Sequence, residues 1–197
     1  DTAQGLAFDL LRSPDGGPPV VTGHDDGVIT LDVEEADDAT REHRRGRLLE
    51  PYRTLLGHLR HESGHYYWQR LVDGTPWLDA CRELFGDDRQ DYAAALQQHY
   101  TQGPPADWQQ RHVSAYASSH PWEDWAETWA HYLHLVDTLD TARSFGLDGE
   151  LVELSYERFG PEVLEGSGDE QPGEFLALLN GWMELTGVLN ELSRSMG

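Results

Sequence analysis

The first part of the chain has the pattern of apolar and polar residues that is typical of β-strands. Residues 5–12 and 19–33 fit strands, and the second stretch contains a turn signal at 24–27. After this turn, apolar and polar side chains alternate over residues 28–33, as expected where one face of a strand is buried. The pattern therefore predicts a small N-terminal sheet within residues 1–36.

From residue 37 onward, the spacing of apolar residues changes to the period of a helix. Pro51 suits the first turn of a long helix, because its missing N–H is not needed there. The glycine and proline within 74–76 are expected to end that helix. Short helices are expected next, at 77–85 and 88–99.

A second long helix is expected to begin at Pro121, with Ser119 or His120 as its cap, and to run to about Ser144. Two more helices, separated by a polar loop, fit residues 150–197. Because the strands are few and come first, this order of elements predicts a helix-rich α+β fold.

We expect a single domain over residues 1–197, a length that one domain can accommodate. Residues 1–36 supply mainly strands, residues 37–145 the helices with the candidate catalytic groups, and residues 146–197 the C-terminal helices. The chain begins with Asp1 rather than Met, so we interpret it as a fragment of a longer protein.

Charge and composition restrict the possible partners. The chain has 36 acidic and 14 basic residues and a net charge of −22, which disfavours nucleic acid because phosphates are repelled. No apolar stretch is long enough to span a membrane, and no signal peptide opens the chain. The single cysteine, Cys81, cannot form an internal disulfide. We therefore expect a cytoplasmic protein that binds neither nucleic acid nor membrane. The sequence does not determine its oligomeric state.

The candidate chemistry begins with the motif His61-Glu62-Ser63-Gly64-His65. On a helix, residues four apart share a face, so both imidazoles can reach one zinc ion. Glu62 is next to the first histidine and can act as a base toward a metal-bound water without binding the metal itself. Gly64 disfavours a helix, so its presence indicates that another element approaches closely there.

A catalytic zinc site needs a third protein ligand. Trp68 and Leu71 stand where a metzincin has glycine and histidine, which excludes that subclass. Glu123 and Glu127 are four apart on the second long helix, so one can bind zinc while the other holds the outer nitrogen of a ligand histidine.

Other interpretations of this helix are open. The glutamates could form a solvated acidic face, although the neighbouring tryptophans favour a partly buried helix. His131 or His134 could replace a ligand, because both follow Glu127 by one or two turns. His58 shares the face of the motif histidines, but a packed helix residue is its simpler interpretation.

At residues 50–68 and 120–130, the sequence resembles the bacterial family of zinc-binding metallopeptidases, zincins whose third ligand is glutamate. The resemblance implies a zincin-like metallopeptidase domain with one catalytic Zn²⁺ and a peptide or protein substrate. Members often have an N-terminal cysteine-rich zinc ribbon, which is absent from this chain.

A more distant resemblance concerns the peptidase domain of lethal-factor-type toxins. Tyr116, Glu123, Trp125, Ala126 and Glu127 have the spacing of that family's tyrosine and glutamate motif. The resemblance implies Glu123 as the third metal ligand, after His61 and His65. It also implies Glu127 as the partner of a ligand histidine, and Tyr116 as the phenol that donates to the developing oxyanion.

The sequence therefore predicts a zinc metallopeptidase in which Glu62 is the general base. The strand over residues 28–33 is expected to be an edge strand that receives extended substrate. Two alternatives are open: a non-catalytic zinc-containing module that binds a partner, and a zinc hydrolase of non-peptide amides. A metal whose fourth position is closed by protein would favour the non-catalytic module.

Overall fold

The structure of the protein is a computed structural model, which describes residues 5–14, 16–48, 54–147, 156–164 and 172–196. These residues form a helix-rich α+β fold with a small N-terminal sheet, as predicted. The chain divides into two compact units, Asp1–His131 and Tyr132–Gly197. The single domain over residues 1–197 stays a prediction.

Three short strands form the sheet: β1 (Ala7–Leu11), β2 (Gly23–Asp25) and β3 (Val28–Asp32). β2 and β3 are antiparallel and are joined by Asp26 and Gly27, whose φ angles are 42° and 84°. Positive φ at both residues is what a tight type I′ hairpin requires, and Asp-Gly is a preferred pair for it. The predicted turn is therefore confirmed.

The prediction that residues 28–33 form an edge strand is wrong. The strand order is β1-β3-β2, with β1 parallel to β3, so β3 is central. β1 pairs with β3 along its whole length and β2 pairs with it over residues 28–30, so β3 does not offer a free edge to a substrate strand. The chain also leaves the sheet at Val33, where the Asp32 side chain accepts a hydrogen bond from Glu34 N–H (3.0 Å) and caps a short 3₁₀ helix.

In the described part of the first unit, four α-helices follow the sheet before residue 103. The longest, α2, begins after Thr54, whose hydroxyl accepts a hydrogen bond from Gly57 N–H (2.9 Å) and so caps the helix. Pro51, predicted for its first turn, lies outside the described residues. The bounds are α1 (Asp38–Leu48), α2 (Leu55–Leu71), α3 (Leu78–Phe85) and α4 (Tyr92–Gln102).

The helix predicted at 88–99 is displaced along the chain. Asp91 caps α4 by accepting a hydrogen bond from Ala94 N–H (3.0 Å), so the helix begins at Tyr92. Asp88 lies before this cap, where its carboxylate pairs with Arg82 (2.5 Å). The helix ends at Gly103, whose φ of 78° suits glycine.

α5 (Pro121–Ser144) has the bounds that the sequence predicted. His120, one of the two expected caps, accepts a hydrogen bond from Trp122 N–H through its Nδ1 (3.1 Å). The helix begins in the first unit and continues into the second. It thereby presents Glu123 and Glu127 in its first turns.

The second unit has a small apolar core and one long helix, α6 (Pro172–Met196). Leu139, Ala142 and Leu185 form this core. Of the two helices predicted for residues 150–197, the described part of the first contains a short 3₁₀ helix (Pro161–Leu164), and residues 148–155 are outside the described part. None of the described helices is long and apolar enough to cross a membrane.

Candidate metal centre

Helices α2 and α5 pack in direct contact at Gly64. A Cβ added there would lie 2.9 Å from Ala126 Cα and 3.3 Å from Trp129 Cβ. Two indole N–H groups of α5 hold the same turn of α2: Trp125 donates to the Gly64 carbonyl (2.8 Å), and Trp129 donates to the Ser63 hydroxyl (3.2 Å). The close approach that Gly64 predicted is confirmed, and it brings the motif beside Glu123.

Three potential ligand atoms converge between these helices. His61 Nε2 lies 3.2 Å from His65 Nε2 and 3.0 Å from Glu123 Oε2, and the third side of the triangle, His65 Nε2 to Glu123 Oε2, is 3.6 Å. Around a tetrahedral zinc with bonds of ~2.0–2.2 Å, ligand atoms are separated by roughly 3.3 Å. The observed triangle has the dimensions that such an ion requires.

The environment of Glu123 also fits a cation. Its side chain is 1% exposed, and its Oε2 is buried without a hydrogen bond, with His61 Nε2 3.0 Å away. A buried carboxylate oxygen without a partner is costly, and a metal ion would satisfy it. Two imidazole nitrogens and one carboxylate oxygen are also a donor set that catalytic zinc uses.

Glu127 contacts the ring nitrogen of His61 that does not face the triangle. Its Oε1 lies 2.7 Å from His61 Nδ1, and the Ser114 hydroxyl donates to its Oε2 (2.6 Å). With its N–H on Nδ1 directed to Glu127, the ring would bind a metal through the lone pair of Nε2 once the proton on Nε2 is displaced. Burial lowers the pKa of His61, but the carboxylates of Glu123 and Glu127 outweigh this and raise the pKa to about 10.

Glu62 and Tyr116 lie beside the triangle. Glu62 is 7% exposed, it has no hydrogen bond to another described residue, and burial raises its pKa. The ring centroid of Tyr116 lies 5.9 Å from that of His61. Burial and the neighbouring Glu123 raise the pKa of Tyr116, so its hydroxyl stays protonated and can donate a hydrogen bond.

His131 and His134 are not part of the ligand triangle. Within the described part of the chain, the only group that could hold a metal is the triangle itself, without His131 or His134. His131 Nδ1 lies 2.7 Å from the Glu127 carbonyl, one turn back on the same helix. The two histidines are therefore not the substitute ligands that the sequence left open.

The sequence did not predict several residues that contact the side chains of the site and its helix. The Tyr92 hydroxyl donates to Glu123 Oε1 (2.5 Å), and His112 Nδ1 lies 2.9 Å from the buried Asp124. Ser114 holds Glu127 as described above. These residues are 12 to 31 positions from their partners, so no helical spacing relates them, and the sequence has no local signal for them.

Comparison with known proteins agrees with this geometry. The family described as "Putative zinc-binding metallo-peptidase" matches residues 1–197. An uncharacterized protein of Mycobacterium bovis and those of two Mycobacterium tuberculosis strains are each 47% identical to the chain over 198 residues. The chain is covered completely but spans only 54% of each relative, about half of its length. No solved structure gives a significant match. The chain therefore belongs to the zinc-binding metallo-peptidase family that this description names.

Proposed function

We propose that this chain is a zinc-dependent peptidase that hydrolyses peptide bonds with water. The observation that carries the proposal is the convergence of His61 Nε2, His65 Nε2 and the buried Glu123 Oε2, which has no hydrogen bond, on one point. These residues would hold a single zinc. When bound, the ion supplies Lewis acidity, which lowers the pKa of a water and polarises a carbonyl.

In this proposal, Glu62 moves the proton. Its carboxylate removes a proton from the attacking water as the new carbon–oxygen bond forms. It then transfers that proton to the amide nitrogen as the carbon–nitrogen bond breaks, which leaves a carboxylic acid and an amine. The raised pKa of Glu62, which burial causes, supports this role because it favours a carboxylate that both accepts and returns a proton.

Tyr116 and Glu127 have supporting roles in the proposal. The Tyr116 hydroxyl donates a hydrogen bond to the carbonyl oxygen as that oxygen gains negative charge. The raised pKa of Tyr116 keeps its proton available for this bond. Glu127 fixes the ring of His61 by accepting from Nδ1, which directs Nε2 to the metal.

The number of protein ligands supports catalysis over a purely structural zinc. A structural zinc has four protein ligands, whereas the group found among the described residues has three. A fourth position is then left for water. A non-catalytic partner-binding module would instead require a closed metal site, and a zinc hydrolase of non-peptide amides would share the same site.

The test is Glu62→Gln, measured against the unchanged protein with a mixed peptide pool and mass spectrometry. We expect the variant to keep stoichiometric zinc, because Glu62 is not a ligand, and to lose about 10²–10⁴-fold in hydrolysis rate. Unchanged turnover in the variant would remove Glu62 from the mechanism. Full zinc content with no peptide cleavage in the unchanged protein would favour the alternative functions.

A further inference from the structure

We propose that Tyr92 is a positioning residue of the metal centre, which holds one oxygen of Glu123 so that only the other oxygen can bind the metal. This inference rests on the proposed function, because it assigns Glu123 to the metal. Tyr92 lies on α4, a helix that contributes none of the ligand atoms of the triangle. With Tyr92, α4 would contribute to the site in addition to α2 and α5, which carry the ligand atoms.

The two oxygens of Glu123 have different environments. Oε1 accepts a hydrogen bond from the Tyr92 hydroxyl at 2.5 Å, whereas Oε2 is buried without a hydrogen bond and faces the two imidazoles. A free carboxylate can bind a metal through one oxygen or through both. With Oε1 held by a phenol, Glu123 offers a single oxygen, and a coordination position is left for water.

The position of Tyr92 is itself fixed. Its ring packs edge-on against His120, with centroids 5.1 Å apart and an interplanar angle of 85°, and it also lies 5.8 Å from the ring of Trp122. His120 is 2% exposed and connects the starts of two helices. Its Nδ1 accepts from Trp122 N–H (3.1 Å), and its Nε2 lies 3.3 Å from the Gln90 carbonyl, just before α4.

One neutral form of His120 satisfies both contacts, with the proton on Nε2 and the lone pair on Nδ1. The start of α4 is thereby tied to the start of α5, where Glu123 is located. The distance between Tyr92 and Glu123 is therefore set by a buried polar connection rather than by a mobile side chain. This is the arrangement that a ligand-orienting residue needs.

The Tyr92 hydroxyl remains a donor. A phenol is protonated at physiological pH, so the Tyr92 hydroxyl can donate to the Glu123 carboxylate. Tyr116 is a neighbour of Tyr92, close enough for the two phenols to interact electrostatically. Two neighbouring phenols would thus have separate tasks: Tyr92 orients a ligand, and Tyr116 donates to the substrate.

The test is Tyr92→Phe, which removes the hydroxyl and keeps the ring between His120 and Trp122. Zinc affinity, measured by competition with a chromophoric chelator, is expected to fall about 10–100-fold. In the cobalt-substituted variant, we expect weaker visible absorption, as for a five-coordinate ion with a bidentate Glu123. Tyr132→Phe is the matched control: it removes an exposed hydroxyl of α5 outside the site and should leave zinc affinity and the cobalt spectrum unchanged.

Equal zinc affinity and equal cobalt spectra in Tyr92→Phe and the unchanged protein would overturn the proposal. If the variant does not fold, X-ray absorption at the zinc edge of the unchanged protein decides instead: two carboxylate oxygens on the metal would contradict monodentate binding by Glu123. An unchanged protein that binds no zinc would refute the proposed function. Zinc binding by the unchanged protein therefore distinguishes a failure of the Tyr92 proposal from a failure of the proposed function. Neither measurement requires a known substrate.

Discussion

Replacing Gly64 by alanine would test how the contact between α2 and α5 maintains the metal centre. The added Cβ would lie 2.9 Å from the backbone Cα of Ala126, an atom that cannot rotate away. Ordinary contacts between carbon atoms need about 3.5–4 Å, so the helices would have to separate locally by roughly 0.5–1 Å. Gly64 immediately precedes His65, and Ala126 follows Glu123 by three residues, so this displacement would reach the ligand triangle.

Gly64→Ala is expected to lower both the stability of the metal-free protein and its affinity for zinc. Alanine gains about 1 kcal/mol of helix propensity over glycine, whereas overpacking costs about 1–3 kcal/mol. The metal-free protein is therefore expected to lose up to about 2 kcal/mol of unfolding free energy. Zinc bonds tolerate only about 0.2 Å of displacement, so a separation of this size should weaken zinc binding at least about tenfold.

Urea unfolding of the metal-free protein and zinc competition titration would measure the two effects. Gly46→Ala is the matched control, because Gly46 lies within α1 and an added Cβ there meets nothing within 4 Å. The control should gain up to about 1 kcal/mol and bind zinc normally. A Gly64→Ala variant that is more stable than the unchanged protein, with equal zinc affinity, would refute the argued contact.

Two further predictions concern the ligands. Glu123→Ala should nearly abolish zinc binding, whereas Glu127→Ala should lower zinc affinity only about 10–100-fold; a larger loss in Glu127→Ala would reverse the two assignments. The pKa of His61 is raised from its ordinary value of 6.5 to about 10, so in the metal-free protein the protonated ring stabilises the fold fully below pH 6.5. The unfolding free energy of the metal-free protein should then fall as the pH rises from about 6.5 to 10, and a flat profile in urea unfolding would contradict this.

The helices of the site were predictable because strong local signals mark them. Pro121 begins α5 and His120 caps it, and the motif from His61 to His65 needs only a helix to bring both imidazoles to one face. Gly64 even indicated the approach of a second element, which is α5. Each of these inferences depends on residues that are close together in sequence.

The features that were missed depend on residues far apart in sequence. The alternation over 28–33 predicted a strand but could not show that β1 would pair in parallel beside it, which makes β3 central. Likewise, Tyr92 contacts Glu123 only because α4 packs beside the start of α5. Strand order and contacts between helices are set by tertiary packing, which hydrophobic periodicity does not encode.

The most direct test of the account is anomalous diffraction at the zinc edge from crystals of the protein, because it reports occupancy and ligands together. We expect one zinc per chain, with His61 Nε2, His65 Nε2 and one oxygen of Glu123 at ~2.0–2.2 Å and a position open to water. A zinc bound elsewhere, or a fourth protein ligand that closes the site, would contradict a catalytic metal centre.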